Sequence, residues 1–280
     1  MNPPPLKISI VTCSWRQARF LDATMRSVLA QSWPQVEYIV VDGGSDDGSV
    51  DIIRSHAERL SWWVSEPDGG QTDALIKGFA RASGDICGWL CSDDLLLPGA
   101  LDTVARYFAA HPEVEAAYGH ALWIDEDGRP LRAKREMPFK RFVFLHDFNY
   151  VPQPSMFWRR SLYQRVGGLT PGFDVAMDND LWEKFSRVTA IGQIDAWLSC
   201  MRHYPQQKTR AVRWRQQGAR ENDAIRQRAS SLARHAPAQY LMRKTARMLR
   251  VAHKLAAGGY QARVPDEYLG WLESHATPER

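Results

Sequence analysis

No run of about 18 consecutive apolar residues, the length an apolar helix needs to cross a bilayer, occurs anywhere in the 280 residues. The most hydrophobic stretch, ICGWLCSDDLLL, is split by Asp93 and Asp94. Cysteine is scarce. Cys13, Cys87, Cys91 and Cys200 do not form the paired short spacings of a zinc module, which leaves buried thiols in a reducing cytoplasm as the expectation. The opening MNPPPLKISIVTC carries three prolines and a β-branched run shorter than a signal-peptide core, so no secretion signal is read. Internal repeats and low-complexity segments are missing too. What remains is a chain with 44% apolar residues, enough for one large globular domain, or one domain with a helical appendage.

Acidic residues are nearly absent from one part of the chain. Residues 202–263 hold 15 Lys/Arg against only Glu221 and Asp223, a local charge of +13 that leaves the rest at −9. An acidic body with a basic tail argues against a nucleic-acid binder, whose positive surface would coincide with its folded core. It suits an anionic, cytoplasmic membrane surface better. Within the tail, Leu241, Thr245, Met248, Ala252 and Leu255 form one helical stripe and Arg243, Arg247, Arg250 and Lys254 another. Such a cationic amphipathic helix either lies on lipid or docks on the catalytic domain with its basic side in water. The last residues, ESHATPER, read as frayed.

The first 125 residues alternate short β-rich runs with helical patterns, the signature of a mostly parallel sheet flanked by helices. Strands are expected at Lys7–Thr12, Glu37–Val41, Trp62–Ser65, Ile86–Leu90 and Ala116–Gly119. The four segments between them, such as FLDATMRSVLAQ and TDALIKGFARAS, place apolar residues three and four apart, as right-handed crossover helices require. After the turn at 125–128 the chain reads as irregular and aromatic to residue 170, then helical around NDLWEKFSRV, with helices through the last quarter.

Ligands of such sheets gather beyond the carboxyl ends of the strands, which directs attention to four loops. Asp42 ends an apolar strand and is followed by Gly43, Gly44 and Ser45. Its carboxylate accepts a base N–H, or the loop is a turn in which Ser45 or Asp46 caps a helix. Asp93 and Asp94 stand side by side after a buried strand. Adjacent anions there call for a hard cation such as Mg²⁺ or Mn²⁺, unless both are solvated. In SEPDGGQTD, Asp68, Gln71 and, one turn on, Lys77 surround a helix N-terminus suited to a diphosphate or simply capped. In MDNDLW, Asp178 is placed to take a proton from an acceptor hydroxyl; alternatively Asp178 and Asp180 only complement the positive end of a helix.

Together SIVTCSW, VVDGGSDDGS, SEPDGGQTDALIKG, GWLCSDD, QPSMFWRR, MDNDLW and RHYPQQKT resemble glycosyltransferase family 2, which has a GT-A fold, over residues 6 to 210. The resemblance implies a catalytic domain spanning 1–210 with a basic helical extension over 211–280. It also implies inverting transfer from a nucleotide-diphosphate sugar, with a divalent cation, onto a glycan or lipid-linked acceptor. By the same resemblance Thr12, Ser14 and Asp42 border the nucleotide, Asp93 faces ribose or sugar, and Asp94 holds the metal. Asp178 falls on the catalytic base and Asp180 supports it or contacts the acceptor. His203 and Lys208 match a motif that closes over the diphosphate, and Trp158 with Arg159 and Arg160 either line the acceptor groove or serve as core and surface. Many relatives carry an acid where Cys91 stands, so Asp93 and Asp94 share between them the contacts to metal and ribose. Two other readings share these features: a sugar-phosphate nucleotidyltransferase, although Thr12-Cys13-Ser14-Trp15 lacks its glycine-rich loop, and a non-catalytic nucleotide-sugar-binding protein.

Overall fold

The computed structural model describes residues 5–208, 211–230 and 235–276. Nine strands form one sheet: β1 (Ile8–Ser14), β2 (Val36–Asp42), β3 (Trp62–Ser65), β4 (Ile86–Trp89), β5 (Leu95–Leu96), β6 (Ala116–Ile124), β7 (Pro130–Lys134), β8 (Met156–Arg159) and β9 (Ile191–Arg202). Their order is β3-β2-β1-β4-β8-β6-β9-β5, with β7 also paired to β6. β1, β2, β3, β4, β6 and β9 run in one direction; β8, β5 and β7 run against them. Every residue of β1 is buried, because helices cover both faces of the sheet.

Alternation along the strands sorts their side chains between two apolar layers. Val11, Cys13, Ile39 and Val41 point to the layer covered by α3 (Gln71–Arg81) and α7 (Met177–Val188). Ile8, Ile10, Tyr38 and Val40 point to the layer covered by α1 (Ala18–Leu29), α2 (Ser49–Ser55) and α4 (Ala100–Ala110). The remaining helices are α5 (Arg141–His146), α6 (Arg160–Arg165), α8 (Val212–Ala229), α9 (Ala236–Ala256) and α10 (Asp266–His275).

Three features depart from the expectations. The strand at Ala116 is not the neighbour of β4, because the aromatic run Met156–Arg159, read as irregular, inserts between them as antiparallel β8. β9 had no strand signature: its buried Ile191, Ile194 and Leu198 fall three and four apart, as in a helix. Its pairing with β6 shifts register between Tyr118 and His120 and again before Ala121, and such bulges break the period of two. Finally, the end of the chain is not frayed up to residue 276. Ala276 is fully buried and Leu272 packs beside it in a small core with β5, β6 and β9, whereas 277–280 lie outside the described residues.

The basic segment is tied to the sheet domain. Glu221 of α8 accepts hydrogen bonds from the backbone N–H groups of Asp174, Val175 and Ala176 at 3.0, 2.9 and 2.7 Å, just ahead of α7. Arg250 of α9 pairs with Asp147 at 2.5 Å, and Lys254 with the buried Glu136 at 3.2 Å. Two members of the expected solvent-facing basic stripe therefore point inward. Leu241, Met248 and Leu255 of α9 face outward instead, at 66%, 72% and 61% exposure.

α3 lies against β1 and β2 at Gly78, where an added Cβ would sit 2.4 Å from Val11 Cγ1 and 3.3 Å from Val41 Cγ2. Gly78→Ala should destabilise the fold by about 1–3 kcal/mol of overpacking, offset in part by roughly 1 kcal/mol of helix propensity. Gly270→Ala in α10, where nothing lies within 4 Å, should show only the propensity gain. Urea unfolding midpoints moving in opposite directions would bear this out; equal shifts would contradict it.

Candidate functional site

Ser14, Asp42 and Ser65 stand in register at the carboxyl ends of β1, β2 and β3. The chain extends one to two residues further as strand than the sequence pattern suggests, so Asp42 closes the sheet edge. Its carboxylate, fully buried, is engaged by its own surroundings. Oδ2 accepts from the N–H groups of Gly44 (3.1 Å) and Ser45 (2.8 Å) and from Ser65 Oγ (2.7 Å), and Oδ1 from Ser45 Oγ (2.6 Å). Asp42 thus shapes the loop, its carboxylate engaged by the loop's own donors. Thr12 is likewise fully buried, sharing a hydrogen bond with Tyr38 at 3.0 Å. Ser14 is nearly buried and its hydroxyl has no hydrogen-bond partner among the described residues. The exposed group at this corner is the indole of Trp15, which the sequence reading mentioned only as part of a loop. Its Cδ1 would lie 3.3 Å from a Cβ at Gly43, and Asp68 Oδ2 would lie 3.1 Å from it.

Asp68 accepts the Gly70 N–H at 2.8 Å. Burial pushes its carboxyl above the usual range, with the nearby Asp73 adding to that shift. Gly70 begins α3 at φ 110° without a side-chain cap, a conformation open to glycine, and the Gly69 N–H ahead of it donates to Asp73 at 3.1 Å. Lys77 turns to Glu66 at 2.7 Å. Gln71, by contrast, donates to Cys91 Sγ at 3.4 Å, and Cys91 donates to Gln153 Oε1 at 3.3 Å.

Cys91, Asp93 and Asp94 form the acidic cluster at the end of β4, their ligand atoms all within 4.8 Å of one another. Burial raises the Asp93 carboxyl above its usual range. Asp94 is pushed up further, by burial first and then by repulsion from Asp93. The Cys91 thiol is also pushed up, through Cys13 beside it and through burial, and a thiol held neutral is a poor ligand for a hard cation. Two carboxylates that resist joint ionisation, with a neutral thiol beside them, fit an oxygen-bound Mg²⁺ or Mn²⁺ held by Asp93 and Asp94.

Arg202 and Tyr204, neither singled out in the sequence reading, complete this cluster. Tyr204 donates its hydroxyl to Asp93 Oδ2 at 3.0 Å, and the Arg202 N–H donates to Asp94 Oδ1 at 2.9 Å. The buried Arg202 guanidinium donates to the carbonyls of Asp93, Asp125, Glu126 and Ala276, each at 3.0 Å. His203 lies between these two residues but stacks on Trp123, with ring centroids 4.3 Å apart. Extension at the end of β9 would have indicated this: residues 202 and 204 share a side and 203 takes the other. Lys208 does reach the region. Its Nζ donates to the Asp174 carbonyl at 2.6 Å and lies 4.5 Å from the Trp214 ring centroid, and burial depresses its ammonium.

The start of α7 is joined to the same region through Thr72, whose hydroxyl meets the Phe173 carbonyl and Met177 Sδ. Asp178 accepts from Asn149 Nδ2 at 2.9 Å and from the Asn179 N–H at 2.8 Å. Burial, opposed by these hydrogen bonds, pushes its carboxyl up to about 6. Asp180 is fully buried, 2.5 Å from Arg228, 3.1 Å from Lys184 and 2.6 Å from the Thr170 hydroxyl. It anchors α7 to α8. Trp158 and Arg159 do not line a groove. Trp158 is fully buried among Phe79, Trp89 and Trp182. Arg159, at the opposite end of β4, donates to the carbonyls of Val114 and Phe108, and Arg160 donates to that of Gly84.

Comparison with known proteins now decides the family. The model for Glycosyl transferase family 2 matches residues 9–167. The chain belongs to that family. An uncharacterised glycosyltransferase of Mycobacterium tuberculosis is 31% identical over 175 residues, covering 62% of this chain and 66% of that protein. The O-antigen biosynthesis protein RfbC of Myxococcus xanthus is 34% identical over 184 residues, which cover 62% of this chain but only 14% of that one. The chain therefore spans less than two thirds of these relatives. S. aureus TarS in complex with UDP-GlcNAc superposes with a TM-score of 0.62 at 14% identity, over 80% of this chain and 71% of that one. The mannosyltransferase PcManGT of Pyrobaculum calidifontis, in complex with GDP-Man and Mn²⁺, gives 0.60 at 18% identity over 96% and 79%. At such identities the likeness establishes the shared GT-A fold of this family 2 chain. No described helix is long and apolar enough to cross a membrane.

Replacing Arg202 with Met should cost about 3–5 kcal/mol, because it strips the buried carboxylates and carbonyls of a cation. Tyr204→Phe, which removes one hydroxyl donor, should cost only about 1 kcal/mol. Thermal melts in which the two variants lose comparable stability would overturn this ranking.

Proposed function

We propose that the protein transfers a sugar from a nucleoside diphosphate donor to an acceptor hydroxyl with inversion, aided by a divalent cation. The reading is carried by the separation of two kinds of carboxylate: the Asp93–Asp94 pair with Tyr204 and Arg202, and Asp178 on α7 with its raised pKa. Asp93 and Asp94 would hold Mn²⁺ or Mg²⁺. A bound cation would supply positive charge where the leaving diphosphate becomes more negative.

The chain's own groups do the rest. The N–H groups that open α3 after Gly70 point at the diphosphate, and Lys208 adds a buried positive charge nearby. Trp15 offers an exposed face on which a base stacks. Asp178 takes the proton of the acceptor hydroxyl as that oxygen bonds to the anomeric carbon. The bond from that carbon to the diphosphate oxygen breaks, and the nucleoside diphosphate departs from the opposite face. The acceptor is a glycan or a lipid-linked saccharide, and the outward apolar stripe of α9 rests on an anionic membrane surface.

The order of the two steps can be separated. Thermal-shift screening of UDP-, GDP- and dTDP-sugars with Mn²⁺ identifies the donor, since a ligand bound only by the folded state raises its midpoint. Asp94→Ala should abolish the Mn²⁺-dependent part of that shift, and a donor shift or turnover indifferent to EDTA would remove the cation from the scheme.

Asp178→Asn should lower turnover by about 10²–10⁴-fold with the donor shift retained. In the wild type, activity should fall as pH drops below about 6, where Asp178 takes up its proton. Because the folded pKa lies above the unfolded value, the folded state binds the extra proton between about pH 4 and 6. Stability therefore decreases through that window and stays lower above it. The Asn variant should be at least as stable as the wild type at pH 7.5; a variant both inactive and markedly less stable would assign Asp178 to structure.

A further inference from the structure

Two cavities near Asn149 and Arg226 adjoin through shared lining residues. The inner one, about 280 Å³, is lined by Asn149, Asn179, Phe148, Asn222 and Arg226 among others. Asn149 and Asn179 are the two residues that hold the Asp178 carboxylate. The outer one, about 440 Å³, is lined by His146, Tyr240, Arg226, Arg243, Lys244 and Arg247. Asp147 and Arg226 belong to both.

The outer cavity is strongly basic. Its single carboxylate, Asp147, is already paired with Arg250 at 2.5 Å. Asp223 partly offsets the cations, lying 2.5 Å from Arg226 and 3.7 Å from Arg243, and Lys244 lies 4.6 Å from the Tyr240 ring. Burial depresses His146, and the nearby cations Arg226, Arg141 and Arg243 add to that shift. Two buried polar atoms of the inner cavity, Asn179 Oδ1 and Arg226 Nε, have no hydrogen-bond partner among the described residues. Buried polar groups of this kind normally find one.

We infer that this passage is the acceptor site: the inner cavity takes the hydroxyl-bearing sugar toward Asp178, and Arg226, Arg243, Lys244 and Arg247 bind a phosphate or diphosphate on the same acceptor. The inference rests on Asp178 being the base of the proposed reaction. It adds the acceptor's chemical class, an anionic phosphate ester. A polyprenyl-type lipid is the source the surroundings favour, because the outer cavity is bordered by α9, whose Leu241, Met248 and Leu255 face outward. A soluble sugar phosphate would offer the same group without the chain.

The test is calorimetric, on the full chain, with the donor end saturated by Mn²⁺ and the nucleoside diphosphate that the thermal-shift screen identifies. Inorganic diphosphate should bind the wild type and bind Arg243→Ala/Lys244→Ala/Arg247→Ala about tenfold more weakly or worse, as loss of charge-assisted hydrogen bonds implies. The nucleotide-induced thermal shift should be the same in both proteins. Farnesyl diphosphate binding more tightly than inorganic diphosphate assigns the site to a lipid-linked acceptor; equal binding assigns it to a soluble phosphate. Equal affinity of wild type and triple variant, or sulfate binding as well as diphosphate, would overturn the inference while leaving the donor reading intact. If no nucleotide shifts the wild type, the proposed function fails and this site falls with it.

Discussion

A single buried guanidinium organises the carboxylate end of this sheet. Arg202, at the last position of β9, reaches the carbonyls of Asp93, Asp125, Glu126 and Ala276 while its own N–H holds Asp94. Burying an arginine is unfavourable unless its donors are satisfied. Here they are satisfied by backbone oxygens from three separate segments, and its charge stands beside two carboxylates that burial would otherwise protonate. The position of the acidic pair is thus fixed by the strand that crosses from the far side of the sheet.

The other carboxylate is fixed by different means. Asp178 stands at the start of α7, and the loop before that helix is held by Glu221 from α8, while Asp180 is tied to Arg228. Two independent supports, one in the sheet and one in the helical layer, hold groups that would repel if brought into contact. In the proposed reaction, that arrangement would let one end carry a cation while the other keeps a base of moderate pKa.

Much of this was legible in the sequence and some was not. The βαβ half announced itself through periodicity, and the loops after β1, β2, β3 and β4 were located by the rule that ligands gather at strand ends. Which residue in each loop faces outward was not legible. Asp42 and Thr12 are polar residues at the correct address, yet their hydrogen bonds go to Ser45, Ser65 and Tyr38. For Trp158 the sequence left acceptor groove and core both open, and β8 threads it into the aromatic core. Tyr204 and Arg202 were hidden because bulges erased the alternation of β9, and a histidine drew attention in their place. The reading of α9 as docked with its basic side in water misses for a similar reason: two of its basic residues meet Asp147 and the buried Glu136, partners 103 and 118 positions away that no local pattern reveals.

The bond from Arg202 to Ala276 spans 74 positions, and this has a bearing on how the protein matures. During synthesis the amino-terminal strands emerge first and can begin to pair, and the acidic loop after β4 is present early. It gains its full set of partners only when β9 and then α10 have left the ribosome. A nascent chain would hold the Arg202 guanidinium short of its Ala276 acceptor until translation has passed the basic helices, so this end of the sheet is completed last.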